Sequence, residues 1–142
     1  MKRFTRCFSL FLAIMMLLVT PAFAVEPRAS DYFSCTSTYL YRTSDTSFEA
    51  WFEVTGTGTM QQIGVSSVKI QRSSDNSNWT TMVTYSKDDY YSKMICENTT
   101  THANYFSHTG TKGYYYRAYV TYYAKNSSGT GYLYQYTSSI KL

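Results

Sequence analysis

The commonest aromatic side chain in this 142-residue chain is the phenol of tyrosine, able to recognise a ligand by stacking and by hydrogen bonds, and the tyrosines are unevenly spread. Six of its sixteen tyrosines fall within residues 113–126, GYYYRAYVTYYAKN. Read as a strand, that stretch divides into two sets, because successive side chains point to opposite faces. One set is Tyr114, Tyr116, Ala118, Val120, Tyr122 and Ala124; the other is Tyr115, Arg117, Tyr119, Thr121, Tyr123 and Lys125. An unpaired charge is not buried in a sheet core, so Arg117 and Lys125 assign the second set to the outside. Tyr115, Tyr119 and Tyr123 then line an outer face at intervals of about 13–14 Å, with Arg117 among them. Such rings can hold sugars or an extended peptide. They are equally what an exposed strand uses for cross-strand pairing. Tyr115, Arg117, Tyr119 and Tyr123 are the candidate binding set.

Constellations for catalysis are sparse. His102 and His108 share a strand parity and could serve acid–base chemistry. No Gly-x-Ser-x-Gly elbow, His-Glu-x-x-His pair or phosphate-cradling glycine loop accompanies them, so surface histidines of a non-enzyme are expected. Asp88 and Asp89 either offer carboxylate oxygens to Ca²⁺ or are simply solvated. Two distant cysteines and two histidines match no metal-ligand spacing, and neither metal nor other cofactor is expected. The sequons at Asn78, Asn98 and Asn126 are acceptors only in a host that glycosylates.

The first residues change the accounting. Lys2, Arg3 and Arg6 precede a mostly apolar run, residues 7–19, and Pro21-Ala22-Phe23-Ala24 offers small residues before a cleavage point. This is the pattern of a signal peptide over residues 1–24, whose apolar run is too short to span a ~30 Å hydrocarbon core comfortably. Its removal leaves one domain, residues 25–142, with no membrane association expected and a secreted, extracellular location. Of 13 basic residues, Lys2, Arg3 and Arg6 leave with it, so ten stand against nine acids. A balance so near neutral gives no reason to expect a nucleic acid partner. Cys7 also leaves, and the remaining Cys35 and Cys96 are expected to form one disulfide; two free thiols and pairing between chains are the alternatives.

Positioning these residues calls for strands. Alternation and turn signals predict seven: residues 33–42, 47–55, 65–72, 79–85, 102–108, 113–126 and 132–142, with GTGT at 56–59 as a turn or edge bend. The run SSDNSN at 73–78 is a hairpin loop, and KDDYYSK at 87–93 is either loop or one helical turn. In residues 47–55, Phe48, Ala50, Phe52 and Val54 share the inward parity, while Trp51 falls with Glu49 and Glu53. About seven short strands in one domain argue for an all-β, antiparallel β-sandwich.

VSSVKIQRSSDNSNWTTMVTY, residues 65–85, resembles the C–C′ hairpin of a fibronectin type III domain. GYYYRAYVTYYAKNSSGTG, residues 113–131, resembles that immunoglobulin-like fold's F strand and F–G loop. Residues 30–142 as a whole resemble a family of small uncharacterised secreted proteins of Gram-positive gut bacteria, through Thr57-Gly58-Thr59-Met60 and the run Tyr116 to Gly129. Those motifs are structural and imply no activity. The fold usually buries a tryptophan of its second strand; here Phe52 is expected in that role.

A secreted, non-enzymatic binding or adhesion module is therefore expected, monomeric or weakly oligomeric, with a glycan or a cell-surface protein as its partner. The contacts would lie on the outer tyrosine face or in the loop at 126–131. One alternative is a structural or colonisation factor that self-associates. The other is a hydrolase or inhibitor with a cryptic site.

Overall fold

A computed structural model describes residues 28–142; the expected signal peptide lies outside them. It is all-β, a partly curled antiparallel sheet of seven strands: β1 (Phe33–Arg42), β2 (Ser47–Ser73), β3 (Thr80–Ser86), β4 (Ile95–Thr109), β5 (Tyr115–Asn126), β6 (Gly129–Tyr136) and β7 (Ile140–Lys141). A short 3-10 turn, Ala29–Asp31, precedes β1, and one helical turn, α1 (Tyr91–Met94), precedes β4.

The division of strands differs from expectation at two points, the first being that residues 132–142 supply two strands, β6 and β7, rather than one. The second is that residues 47–55 and 65–72 are two ends of a single strand of 27 residues, because GTGT continues as extended chain. Thr55 pairs with Thr101 and Met60 with Thr99, so residues 56–59 bulge against one residue of β4. A bulge bends its strand and raises the local twist. The first part of β2 lies between β1 and β4; the later part pairs with β5 from Gln62 to Ser73 and with β3 from Ser67 to Arg72. β6 and β7 extend from β5.

Curling brings the inward sets together. Phe48, Phe52, Val54, Ile63, Val65, Val68 and Ile70 from β2 pack in one cluster with Tyr116, Ala118, Val120 and Tyr122 from β5, all essentially buried. A second bulge reconciles the parities within β2: Val65 pairs with Tyr122 and Ser67 with Thr121, so Ser66 is the extra residue, and both Val65 and Val68 turn inward. Phe48 meets Tyr116 at 5.2 Å between ring centroids, and Tyr122 donates its hydroxyl hydrogen bond to the Ser37 carbonyl at 2.6 Å. That bond crosses from β5 to β1. It supplies the partner that a buried phenol needs, while burial pushes the Tyr122 hydroxyl well above the usual tyrosine range.

Two glycines mark close approaches. Gly64 has φ +154, and a Cβ there would overlap the Met94 carbonyl oxygen at the end of α1. At Gly131 a Cβ would run into the ring of Tyr32, which is buried.

The structure corrects the expected disulfide. Cys35 and Cys96 are both free, Cys35 exposed and Cys96 half-buried. Cys35 pairs with Thr55 on one side of β2, and Thr55 pairs on its other side with Thr101, five positions beyond Cys96 in β4. Two strand spacings, about 9–10 Å, plus five residues, roughly 17 Å, separate them. A disulfide needs Cα atoms within about 7 Å.

Two consequences can be measured. The thermal midpoint is expected to be the same with and without reductant; a lower midpoint under reductant would reinstate the bridge. Tyr122→Phe is expected to cost about 1 kcal/mol in denaturant unfolding, through the lost bond to Ser37. Tyr122→Ala is expected to cost roughly 3–5 kcal/mol, by analogy with buried Phe→Ala. Equal small losses would place Tyr122 outside the core.

Candidate functional site

The inward set of β5 is as alternation requires. Tyr116, Ala118, Val120, Tyr122 and Ala124 are buried, and Tyr114 packs against the core from its margin. The outer set is less uniform. Arg117, Tyr115 and Tyr119 are half-buried, whereas Tyr123 is only 6% exposed. Tyr123 points outward but is covered. Lys87 lies 4.2 Å over its ring, Tyr132 meets it edge-on at 5.5 Å, and its hydroxyl donates to Gln62 Oε1 at 2.9 Å. Burial raises its hydroxyl pKa, with Tyr132 adding to the shift. Tyr123 is therefore withdrawn from the exposed face. It anchors a polar chain instead: Gln62 Nε2 donates to Tyr91 Oη at 2.8 Å, and Tyr91 donates to Glu97 at 2.6 Å. The Glu97 carboxylate holds the Tyr91 proton, pushing that phenol up to about 12. This chain ties α1 to the sheet.

Tyr115 stands apart from the others, with Lys141 at 5.0 Å over its ring. Arg117 and Tyr119 do come together, with partners that are remote in sequence. The Arg117 guanidinium carbon lies 4.3 Å from the ring centroid of Trp79 and 4.3 Å from that of Tyr136, between β3's approach and β6. Its Nε donates to Gln71 Oε1 at 2.8 Å. Tyr119 meets Tyr136 at 4.5 Å with the rings tilted by 31°, and stacks on Tyr134 at 6.1 Å. The result is a continuous array, Trp79–Arg117–Tyr136–Tyr119–Tyr134, made by β5, β6 and the residue that precedes β3. Tyr134 and Tyr136 are 60% and 51% exposed, so the β6 rings, not those of β5, are the wettest part of the face. Alternation within residues 132–142 would have assigned these rings a common side; which strand lay beside β5 was not written there.

Trp79 reaches Arg117 through two local features. The loop before it is drawn together by Asp75, whose carboxylate accepts from the Asn78 amide at 2.8 Å, the Asn78 side chain at 2.7 Å, the Ser73 hydroxyl at 2.7 Å and the Ser77 amide at 2.9 Å. These bonds, the Asn78 amide first, hold the Asp75 carboxyl well below the usual carboxylate range. The second feature is a bulge: Ile70 pairs with Val83 and Gln71 with Thr81, leaving Met82 as the extra residue. Val83 and Tyr85 consequently pack on the core, while Thr81 faces the outward Gln71, which donates to it at 3.4 Å. Strict alternation would have put Trp79 on the side of Val83.

A second aromatic row crosses the outer face of β1, β2 and β4. Trp51 stacks between Tyr39, at 6.2 Å and an interplanar angle of 4°, and Tyr105, at 4.5 Å and 28°. Its indole N–H donates to Glu49 Oε2 at 2.8 Å. Its place beside the glutamates is thus a cross-strand stack, and Phe52, 1% exposed, fills the core at the neighbouring position.

The histidines are half-buried rather than fully exposed. His102 and His108 turn inward from β4 and lie against Phe52 at 5.7 Å and Phe48 at 5.4 Å. His102 Nε2 is 2.9 Å from the Lys93 carbonyl at the end of α1, to which Asn104 also donates. Six residues along one strand separate the rings by roughly 20 Å, so they form no shared acid–base pair. Asp88 and Asp89 are exposed in the turn before α1, and no cluster of three or more metal-ligating groups occurs among the described residues. The loop after β5 is a tight turn in which Asn126 Oδ1 accepts from the Ser128 amide at 2.8 Å.

No protein family model, curated protein or solved structure matches this chain.

His108 yields a pH dependence. Burial lowers its pKa below 6.5, so the folded protein favours the neutral ring. The unfolded chain takes up a proton near pH 6.5 and the folded one does not until lower pH, so stability is full above that value and declines as pH falls below it. The thermal midpoint is expected to drop between pH 6.5 and 5 in the wild type, and to drop less in His108→Phe. Identical profiles would assign the decline to other groups.

Proposed function

We propose that this protein is a secreted, non-enzymatic binding or adhesion module with a fibronectin type III-like β-sandwich, and that its ligand contacts lie on the outer face of β5 and β6. The sandwich reading is supported by the partners of β2: β1 and β4 on its first part, β3 and β5 on its later part, with aromatic contacts between the two inner faces. Export is supported by the pattern of residues 1–24.

One observation carries the binding reading. The Trp79–Arg117–Tyr136–Tyr119–Tyr134 array is an aromatic strip with a guanidinium held inside it, and its β6 rings are the most exposed of its members. Flat apolar faces beside fixed donors suit sugar rings, whose C–H faces stack while their hydroxyls accept and donate hydrogen bonds. Arg117 holds its five donors in a rigid fork, pinned by Gln71 and the two rings. Lys69, opposite Tyr119 in the register, and Lys125 place further cations on strand positions of the same side, which favours a neutral or anionic ligand.

A self-associating factor is the second reading, favoured by β6 itself. Among the described residues it pairs only with β5, and Tyr132, Tyr134 and Tyr136 stand exposed along this open edge. Open edges are ready-made for pairing with another chain.

A screen of glycans and cell-wall polymers tests the first reading. Tyr134→Ala/Tyr136→Ala is expected to lose binding at least tenfold and to keep its circular dichroism spectrum, since both side chains are exposed. Binding by the wild type that survives this double change would move the site off the array. Association of the protein with itself in the absence of any ligand, lost in the same variant, would favour the second reading.

A further inference from the structure

The opposite outer face carries its own chemistry. Three cross-strand rows are stacked along β1, β2 and β4: Tyr41–Glu49–Ser107, Tyr39–Trp51–Tyr105 and Ser37–Glu53–Ala103. Tyr39 and Tyr41 are 47% and 59% exposed, Glu53 is exposed and Glu49 is half-buried. Elsewhere the chain repeatedly lays its own cations on its aromatic rings: Arg72 on Tyr114, Lys87 on Tyr123, Arg117 on Trp79 and Tyr136, Lys141 on Tyr115. Here only the Tyr105 end is covered, by Lys93 at 5.2 Å. No cation of the chain lies over Tyr39, Tyr41 or Trp51 among the described residues.

The two carboxylates are likewise without cations. The ion pairs among the described residues join Asp45 to Arg42 and to Lys112, and neither Glu49 nor Glu53 takes part in one. Glu49 is held in place by the Trp51 indole through one carboxylate oxygen, which leaves the other available. The face is therefore a positioned acidic and aromatic strip facing solvent, unlike the β5–β6 face, where Arg117 and Lys87 lie over the rings.

We infer that the outer face of β1, β2 and β4 docks an extended cationic peptide whose Lys or Arg side chains are four residues apart. Glu49 and Glu53 flank Trp51 on one strand face and lie about 14 Å apart at ~3.4 Å per residue. An extended segment lying parallel or antiparallel to β2 presents every second side chain downward. Cations at its positions i and i+4 then meet the two carboxylates, and the side chain at i+2 rests on Trp51 and Tyr39. A guanidinium or ammonium so placed meets a carboxylate and a ring face together, the combination that stabilises a cation over an aromatic group.

The probe is the peptide Thr-Thr-Arg-Thr-Leu-Thr-Arg-Thr-Thr, titrated into the full chain at low salt while the Trp51 indole N–H is followed by NMR. Controls carry Glu in place of both Arg, or the two Arg side by side. The expected result is a saturable shift at Trp51 that the Glu peptide does not produce, that the adjacent-Arg peptide produces with weaker affinity, and that salt suppresses. Glu49→Gln/Glu53→Gln is expected to weaken binding by about tenfold. Glutamine at position 49 still accepts from the indole, so the unbound Trp51 resonance reports that the row is intact. Absence of a shift, equal binding of the adjacent-Arg peptide, or equal binding by the double Gln variant would overturn the proposal. A Trp51 shift that follows protein concentration without peptide would also overturn it, by making this face a contact between copies. None of these outcomes depends on the β5–β6 face, whose ligand is read through Tyr134 and Tyr136.

Discussion

Four of the other six strands hydrogen-bond to β2, so the fold depends on one strand remaining extended over 27 residues and still fitting inside a small domain. Straight, such a strand would be about 90 Å long at ~3.4 Å per residue, well beyond the roughly 35 Å diameter expected of some 100 residues. It must bend, and a strand bends cheaply where an extra residue interrupts the ladder. The register shift between Thr55 and Met60 is that bend, and the extra residue at Ser66 adjusts the parity so that both parts of β2 turn their apolar sides toward one core. Without the second adjustment, Val65 and Val68 could not both face inward. Gly64 lies close by because α1 closes over the same segment and leaves no room for a Cβ.

Tyrosine fits this architecture for two separate reasons. Inside, Tyr116 and Tyr122 fill large volumes and still find polar partners at the margin: the Tyr116 hydroxyl accepts from the Thr111 amide at 2.7 Å, and that of Tyr122 donates to Ser37 at 2.6 Å. Outside, the same residue stacks across strands and accepts cations on its ring. The cross-strand ring contacts through Trp51 and Tyr119 each span three residues, and the basic side chains lie over them. Pairs of this kind stabilise a sheet whether or not anything binds to it. What singles out the two proposed faces is the combination of exposed rings with charge: a guanidinium fixed among rings on one side, two carboxylates without cations on the other.

The all-β, antiparallel character and most strand positions were legible in the sequence, because period-2 alternation is a local property. The inward sets Phe48–Ala50–Phe52–Val54 and Tyr116–Ala118–Val120–Tyr122 are buried as alternation required, and β1 keeps its expected bounds. The bulges at Ser66 and Met82 were not legible, since a single extra residue has no compositional mark, whereas GTGT at 56–59 did read as a turn or bend. The one at Met82 sends Trp79 to the opposite face from Val83, and that is what completes the array around Arg117. The cysteines failed for a related reason. Parity in residue count is a statement about composition, and two strand spacings with β2 between them are a statement about space.

Sequence by itself determined which side chains of each strand are apolar, which faces carry charge, and hence that Arg117 and Tyr119 point away from the core. Tertiary structure alone decided their company: Trp79 from across a bulge, Tyr134 and Tyr136 from the neighbouring strand, and Lys87 and Tyr132 closing over Tyr123. A strand's two faces follow from its own residues. Which rings stand 4–6 Å apart follows from register between strands, and register is set by bulges and by the contest of all the core side chains for one interior.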